Sequence, residues 1–372
     1  MERYTFYLAN ELARLGCDVH YVTGVSDVGR FDPRVGLRLL PFLDVPMQER
    51  YYNVMIGQTL GGTLVHLKVR EALSRERYDV VHGNTNSGSI FSLDWAAKSG
   101  AKSVFTVHNT TPRSGRAAPG LQQSIRRATF RMLDAPLLRS VDHLVTFSAS
   151  SAKEIEQLYG LPPSRITTIP PGVDMDLFQP GLDASRVLEK YSLTPGFVLA
   201  VGRLVDQKGF ADFVRSLQGT HARGVLVGDG PNFRTLQRLN DRLLRPNQLA
   251  ILRTVPPEDL PGLYSSAAAY VFTSVAEGLP SVGVEALASG LPLLGMSAPG
   301  VVDLIDPPKN GLLTEPGDVD ALGKAIQQVL DDRELCRAMG SASRSKAVEN
   351  YSWRSVAAQT LSVYRTVLAA SH

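Results

Sequence analysis

Residues 197–210 read FVLAVGRLVDQKGF: five apolar residues in a row, a glycine, then Arg203 and Lys208 before a second glycine and a new apolar period. An apolar run without alternation suits a strand covered on both faces, and the change of period after Gly209 marks a helix start. In open α/β sheets ligands bind beyond the carboxyl ends of the strands. Gly202, Arg203 and Lys208 therefore stand where a diphosphate would sit, with a helix N-terminus acting on the same anion. A solvated loop with two ordinary surface cations is the competing interpretation, since Arg and Lys are mostly exposed in any protein.

The same strand-to-helix alternation runs along the whole chain and predicts parallel sheets covered by helices. In the first half the candidate strands are CDVHYVT, YDVVHG, KSVFTVH, DHLVTFS and RITTIP, with helices near 3–15, 60–76, 121–138 and 149–159. In the second they are GFVLAVG, ARGVLVG, LAILRTV, AAYVFTS and LPLLGM, with helices near 209–217, 232–244, 258–266 and 281–289. A further helix follows Gly317, on Val319, Leu322, Ile326, Val329 and Leu330, and a last one runs from about Trp353 to Ala370. Two doubly wound units are expected, facing a cleft. The Pro-, Gly- and Asp-rich stretch IPPGVDMDLFQPG puts their boundary near residue 172, giving domains 1–172 and 173–352. The terminal helix, 353–372, is expected to cross back to the first. The chain enters a helical pattern almost at Met1, whereas a doubly wound unit normally begins with a strand. The first strand and its loop are therefore expected upstream, a variant fold starting at Met1 being the alternative.

The length of 372 residues, with 44% hydrophobic and 20% charged, excludes disordered and fibrous classes. Cys17 and Cys336 are too few for a disulfide framework and lack zinc spacing, which fits a reducing cytoplasm. No apolar run approaches the ~18 residues that cross a bilayer. Residues 1–172 carry 20 Lys/Arg against 15 Asp/Glu, residues 173–372 carry 19 against 21, and the basic half should meet the more anionic partner. Its densest stretch holds Arg113, Arg116, Arg126, Arg127, Arg131 and Arg139 against Asp134. Such a helix can lie on an anionic membrane, here the inner face, or simply be a solvated face with Ile125, Phe130, Leu133 and Leu137 turned inward. Nucleic acid is not expected, for want of a recognition module or aromatic residues among the arginines.

In SVAEGLPSVGVEALASGLP, Glu277 falls in the loop after a strand and Glu285 in the next helix, so both could face one pocket near the helix start. Carboxylates suit sugar and ribose hydroxyls. His82 and His108 each end a strand; His82 reads as structural and His108 as functional. VGDGPNF has Phe233 where a dinucleotide fingerprint needs its third glycine, and no phosphate-loop lysine motif is present. Asp174 with Asp176, and Asp318 with Asp320, have a metal-compatible spacing but read as structural. Ser148, Ser150 and Ser151 lack the glycines of a nucleophile elbow. Any choice of nucleotide base would depend on loops such as LRTVPPED around Arg253 to Val255.

Taken in order, ERYTFYLANELARLG, FTVHN, IPPGVDMDLF, VGRLVDQKG, VGDGP, EGLPSVGVEALASGLP, NGLLTEPGD and YSWRSVAAQTLSVY resemble retaining glycosyltransferases of the GT-B fold, glycosyltransferase family 4. The resemblance spans nearly the whole chain, the glutamate pair with VGRLVDQKG being its specific part. It implies two Rossmann-like domains, a nucleotide-sugar donor on the second and a glycan, lipid-linked or small-molecule acceptor on the first. By resemblance Arg203 and Lys208 hold the diphosphate, Glu285 the ribose and Glu277 the sugar ring. Gly278, Leu279 and Pro280 contribute backbone amides, and His108 reaches the reacting centre. Neither a cofactor nor a metal is implied. The strand and glycine-rich loop that precede Glu2-Arg3 in the family pattern are expected upstream of Met1. Alternatives are a nucleotide-sugar-binding protein without turnover and a GT-B sugar-nucleotide epimerase.

Overall fold

The computed structural model describes residues 2–23, 32–39, 71, 74–84, 96, 98–108 and 135–370. They fall into two compact units, one built from residues up to Gly172 together with those from Trp353 onward, the other from Val173 to Ser352.

The first unit opens with α1 (Glu2–Arg14), followed by β1 (Val19–Thr23), β2 (Val35–Leu39), β3 (Val80–Gly83), β4 (Lys102–Val107), α2 (Ala135–Ser140), β5 (His143–Thr146), α3 (Ala149–Tyr159) and β6 (Ile166–Thr168). Strands β3, β4, β5 and β6 form one parallel sheet in that order, and β1 pairs with β2 separately. On α1 the residues Tyr4, Leu8, Ala9, Leu12 and Ala13 are buried, a single stripe at helical spacing. The C-terminal helix, Trp353–Ala369, packs beside it, with the Trp353 ring 5.5 Å from Tyr4 and 5.1 Å from Tyr7. Gly172 adjoins that indole so closely that a Cβ there would lie 2.4 Å from the ring.

The sequence pattern missed β2. Its residues, VGLRL, place Gly and Arg inside the run, and only pairing with β1, from Val19↔Val35 to Thr23↔Leu39, makes it a strand. The helices expected over 60–76 and 121–138 lie largely outside the described residues, as does the stretch from Arg113 to Asp134. Arg139 is described, and its Nε donates to the Tyr159 carbonyl at the end of α3.

The second unit contains α4 (Ser185–Lys190), β7 (Phe197–Val201), α5 (Phe210–Ser216), β8 (Gly224–Val227), α6 (Phe233–Leu243), β9 (Leu249–Leu252), α7 (Leu260–Ser266), β10 (Ala267–Phe272), α8 (Ser281–Ala288), β11 (Leu293–Met296), β12 (Gly311–Thr314), α9 (Val319–Asp331) and α10 (Arg333–Asn350). All six strands are parallel, in the order β12-β11-β10-β7-β8-β9. The chain begins in the middle at β7, winds one way to β9, then returns to β10 on the other side. The order reverses between β7 and β10, the crevice where doubly wound sheets bind ligands. Residues Val198, Leu199 and Ala200 of β7 have no exposed surface, which explains their unbroken apolar run.

Three elements of this unit lacked a legible signal. Strand β12 is a short, glycine-led edge, α4 spans six residues, and α10 buries mainly small residues, among them Gly340, Ser343 and Ala347. Small residues carry little hydrophobic periodicity. They are small because α10 lies against the end of α8, where a Cβ on Gly340 would meet the Gly290 carbonyl at 2.4 Å.

Candidate functional site

Two loops meet at the switch point. After β7 the chain runs through Gly202 and Arg203 into a tight turn, Asp206–Lys208, ended by Gly209 at φ +62°. That glycine is required twice over, because its backbone is left-handed and a Cβ would lie 2.0 Å from the Thr273 carbonyl at the end of β10. The loops are laced together by backbone and side chain. Val275 N–H donates to the Gln207 carbonyl (2.9 Å), Gln207 Nε2 to the Ala276 carbonyl (2.9 Å) and Thr273 Oγ1 to the Lys208 carbonyl (3.0 Å). This lacing puts Lys208 Nζ 2.5 Å from Glu277 Oε1, both side chains largely buried at 21% and 11% exposure. Arg203 is exposed, and among the described residues none pairs with its guanidinium.

Beyond Glu277 the loop is pinned by Glu277 N–H donating to the Pro299 carbonyl (2.9 Å) and leads into α8 at Pro280. No side chain caps α8; Gly283 N–H donates to the Pro280 carbonyl (2.9 Å), which leaves the amides of Ser281 and Val282 to an anion. The helix is pressed onto β10: a Cβ on Gly283 would lie 2.5 Å from both Phe272 and Leu304. Glu285 is therefore not a solvent-facing helical residue. It is half-buried between buried neighbours and accepts a hydrogen bond from Tyr264 Oη at 3.0 Å. Tyr264 stacks on Tyr270, whose hydroxyl donates to the Val201 carbonyl at 3.1 Å. Burial raises the pKa of both phenols well above the usual range, so they stay protonated donors. Periodicity gave no hint of Tyr264 as the partner of Glu285. Pro280 has no N–H, so the expected set of loop amides reduces to Gly278 and Leu279, joined by those of Ser281 and Val282.

A cavity of about 370 Å³ opens beside Gly202 and Arg203, lined also by Val227, Asp229, Arg253, Thr254, Val255 and Leu260. Gly228 makes its floor possible, since a Cβ there would lie 1.9 Å from the Gly202 carbonyl. The glycines of VGDGP thus serve close packing of two loops. Across the mouth Arg253 donates Nε and Nη2 to the Asp229 carboxylate at 3.1 and 2.9 Å, which holds that carboxyl below its usual pKa.

With this geometry in view, residues 1–177 match the family described as Glycosyltransferase Family 4, and residues 186–346 match Glycosyl transferases group 1. The chain is a family 4 glycosyltransferase of the GT-B fold. Among its relatives is the MMP alpha-(1->4)-mannosyltransferase of Mycolicibacterium hassiacum, 28% identical over 405 residues, covering 98% of this chain and 94% of the relative. The GDP-mannose-dependent alpha-(1-6)-phosphatidylinositol monomannoside mannosyltransferase of Mycolicibacterium smegmatis is 32% identical over 207 residues, 52% of this chain and 54% of that one. The fold is shared with sucrose-phosphate synthase from Thermosynechococcus elongatus at a TM-score of 0.78 and 21% identity, covering 99% and 93% of the two chains.

In the first unit of the glycosyltransferase the two histidines differ in their bonding. His82 Nδ1 is 2.6 Å from Tyr364 Oη and its Nε2 is 2.7 Å from Thr106 Oγ1, a tie between sheet and C-terminal helix that fits its structural assignment. His108, one residue past β4, packs edge-on against Tyr4 and Phe147, and its buried Nε2 has no hydrogen-bond partner. Burial lowers its pKa to about 4 and that of His82 to about 3, so both are neutral at pH 7. Asp174 accepts from the N–H groups of Asp176 and Leu177, and Asp318 caps α9 through Ala321 N–H, so both serve local backbone. Ser148 likewise caps α3. Among the described residues no cluster of three or more His, Cys, Asp or Glu could hold a metal, and no helix is long and apolar enough to cross a membrane.

Proposed function

We propose that this glycosyltransferase moves a hexosyl group from a nucleoside diphosphate donor to a glycan, lipid-linked or small-molecule hydroxyl, with retention of configuration and without a metal. The observation that carries this reading is the Lys208–Glu277 pair at the sheet's switch point, flanked by Arg203, the open first turn of α8 and the 370 Å³ cavity. The base occupies that cavity and Glu285 takes the ribose hydroxyls. The diphosphate crosses Gly202 between Arg203 and Lys208, in reach of the amides of Gly278 and Leu279. Pro280 shapes the turn, and Glu277 orients the donor sugar.

As the bond from the anomeric carbon to the phosphate oxygen breaks, negative charge grows on the leaving diphosphate. Lys208, held by Glu277, together with Arg203 and a helix N-terminus, stabilises it there, each such group being worth about 10²–10³ in kcat. The acceptor oxygen attacks from the same face, and its proton passes to the departing phosphate oxygen. His108, neutral at pH 7, acts as a hydrogen-bonding group on the acceptor side. Peripheral contact with anionic lipid on the cytoplasmic face is assigned to the arginines between Arg113 and Arg139.

The mycolicibacterial relative's name puts GDP-mannose among the first donors to assay, beside UDP- and ADP-sugars. Transfer of an α-linked sugar from an α-donor in the presence of a chelator, lost in Arg203→Ala and Lys208→Ala, supports the reading. Inverted product, or a glycosyl adduct trapped on Glu277, refutes the same-face route. Donor hydrolysis or epimerisation with no acceptor dependence refutes transfer. Replacing Arg126, Arg127 and Arg131 by Gln should weaken sedimentation with anionic vesicles, and unchanged sedimentation removes the membrane contact.

A further inference from the structure

The charged pair at the mouth of the 370 Å³ cavity has no role in the function proposed above. Arg253 meets Asp229 side-on, through Nε and Nη2, and its guanidinium carbon lies 4.6 Å from the centre of the Phe233 ring. Both charged side chains remain about half exposed, at 56% and 49%, so the pair is accessible from the cavity it lines. A guanidinium carries five N–H groups. The side-on contact uses two of them and leaves the Nη1/Nη2 edge with three. Held by a carboxylate at its side and an aromatic ring on its face, that edge has a set direction, and presenting it to a ligand costs little rotamer freedom. The apolar walls supplied by Val201, Val227, Val255 and Leu260 suit the faces of a flat heterocycle.

Such an edge calls for two adjacent acceptors. Guanine has them in O6 and N7, whereas adenine sets an amino donor beside N7, and uracil flanks O4 with N3–H and C5–H, neither of them an acceptor. We propose that Arg253, aimed by Asp229 and Phe233, reads the O6/N7 edge of guanine and makes GDP-sugars the preferred donors. This rests on the assignment of the cavity to the donor base made above.

The test is calorimetric titration of the full chain with GDP, IDP, 7-deaza-GDP, UDP and ADP. GDP and IDP, which share O6 and N7, should bind alike and about 10- to 100-fold more tightly than UDP and ADP, and 7-deaza-GDP should lose about tenfold. Arg253→Lys and Arg253→Gln should bring GDP down to the UDP level while leaving UDP unchanged. Tighter binding of UDP or ADP, equal binding of GDP and its 7-deaza analogue, or a GDP preference that survives Arg253→Gln overturns the proposal. The analogues act on unaltered protein, so a folding defect in a variant cannot decide the result. Arg203→Ala should weaken every nucleotide alike. Should no nucleotide bind, or should Arg203→Ala change nothing, it is the donor-cavity assignment that fails.

Discussion

Lys208 Nζ lies 2.5 Å from Glu277 Oε1, and this ion pair closes the junction of the two loops at the switch point. A buried charge deprived of its partner costs about 2 kcal/mol. Lys208→Met should therefore destabilise the chain by about that amount, and Glu277→Gln by less, because the amide can still accept from Lys208. Both should lower kcat by at least about 100-fold. Denaturant unfolding beside steady-state kinetics checks this: a wild-type rate in Lys208→Met would remove the lysine from the chemistry.

Tyr264 donates a hydrogen bond to Glu285. Its hydroxyl lies 3.0 Å from the carboxylate and 3.1 Å from the Val282 carbonyl. Tyr264→Phe should cost about 1 kcal/mol of stability and weaken nucleoside diphosphate binding about tenfold. If Glu285 holds the ribose hydroxyls, a donor analogue lacking them should bind the variant and the wild type equally. Equal losses for both ligands would mean that the tyrosine only supports the core.

Gly209 and Gly317 both have positive φ, but a Cβ at the first would meet the Thr273 carbonyl at 2.0 Å and one at the second would meet nothing within 4 Å. Gly317→Ala should cost about 1 kcal/mol in backbone strain alone. Gly209→Ala should cost well above about 2 kcal/mol and separate Lys208 from Glu277. Thermal unfolding of the two variants gives the comparison, and similar midpoints would contradict it.

Burial moves His108 from 6.5 to about 4 and His82 from 6.5 to about 3. Between these values and pH 6.5 the unfolded chain binds more protons than the folded one, so stability rises with pH across that window. It is complete above about pH 6.5 and erodes on acidification by up to ~1.4 kcal/mol per pH unit for each histidine. His82→Gln should flatten the dependence of the unfolding midpoint on pH, at some cost in its level at pH 7. An unchanged slope would assign the acid sensitivity elsewhere.

Strands such as FVLAVG and KSVFTV, and the glycine stops after α1 and before α5, were legible in the sequence because burial on both faces and positive φ leave marks in residue type. The chemical kinds of the site residues were legible too: cations after one strand, carboxylates after another, histidines at strand ends. Strand β2, the edge strand β12 and helix α10 were not, since their pairing or small-residue packing depends on neighbours distant in the chain. The sequence alone determined the alternation of strand and helix and the amino acids offered at the strand mouths. Only the tertiary structure decided that β10 returns beside β7, because strand order is set by which apolar faces cover one another. From that return follows the Lys208–Glu277 contact; the pairing of β8 with β9 brings Asp229 to Arg253, and the packing of the helices flanking β10 brings Tyr264 to Glu285. Each joins residues at least 21 positions apart, and no local period records a contact of that span.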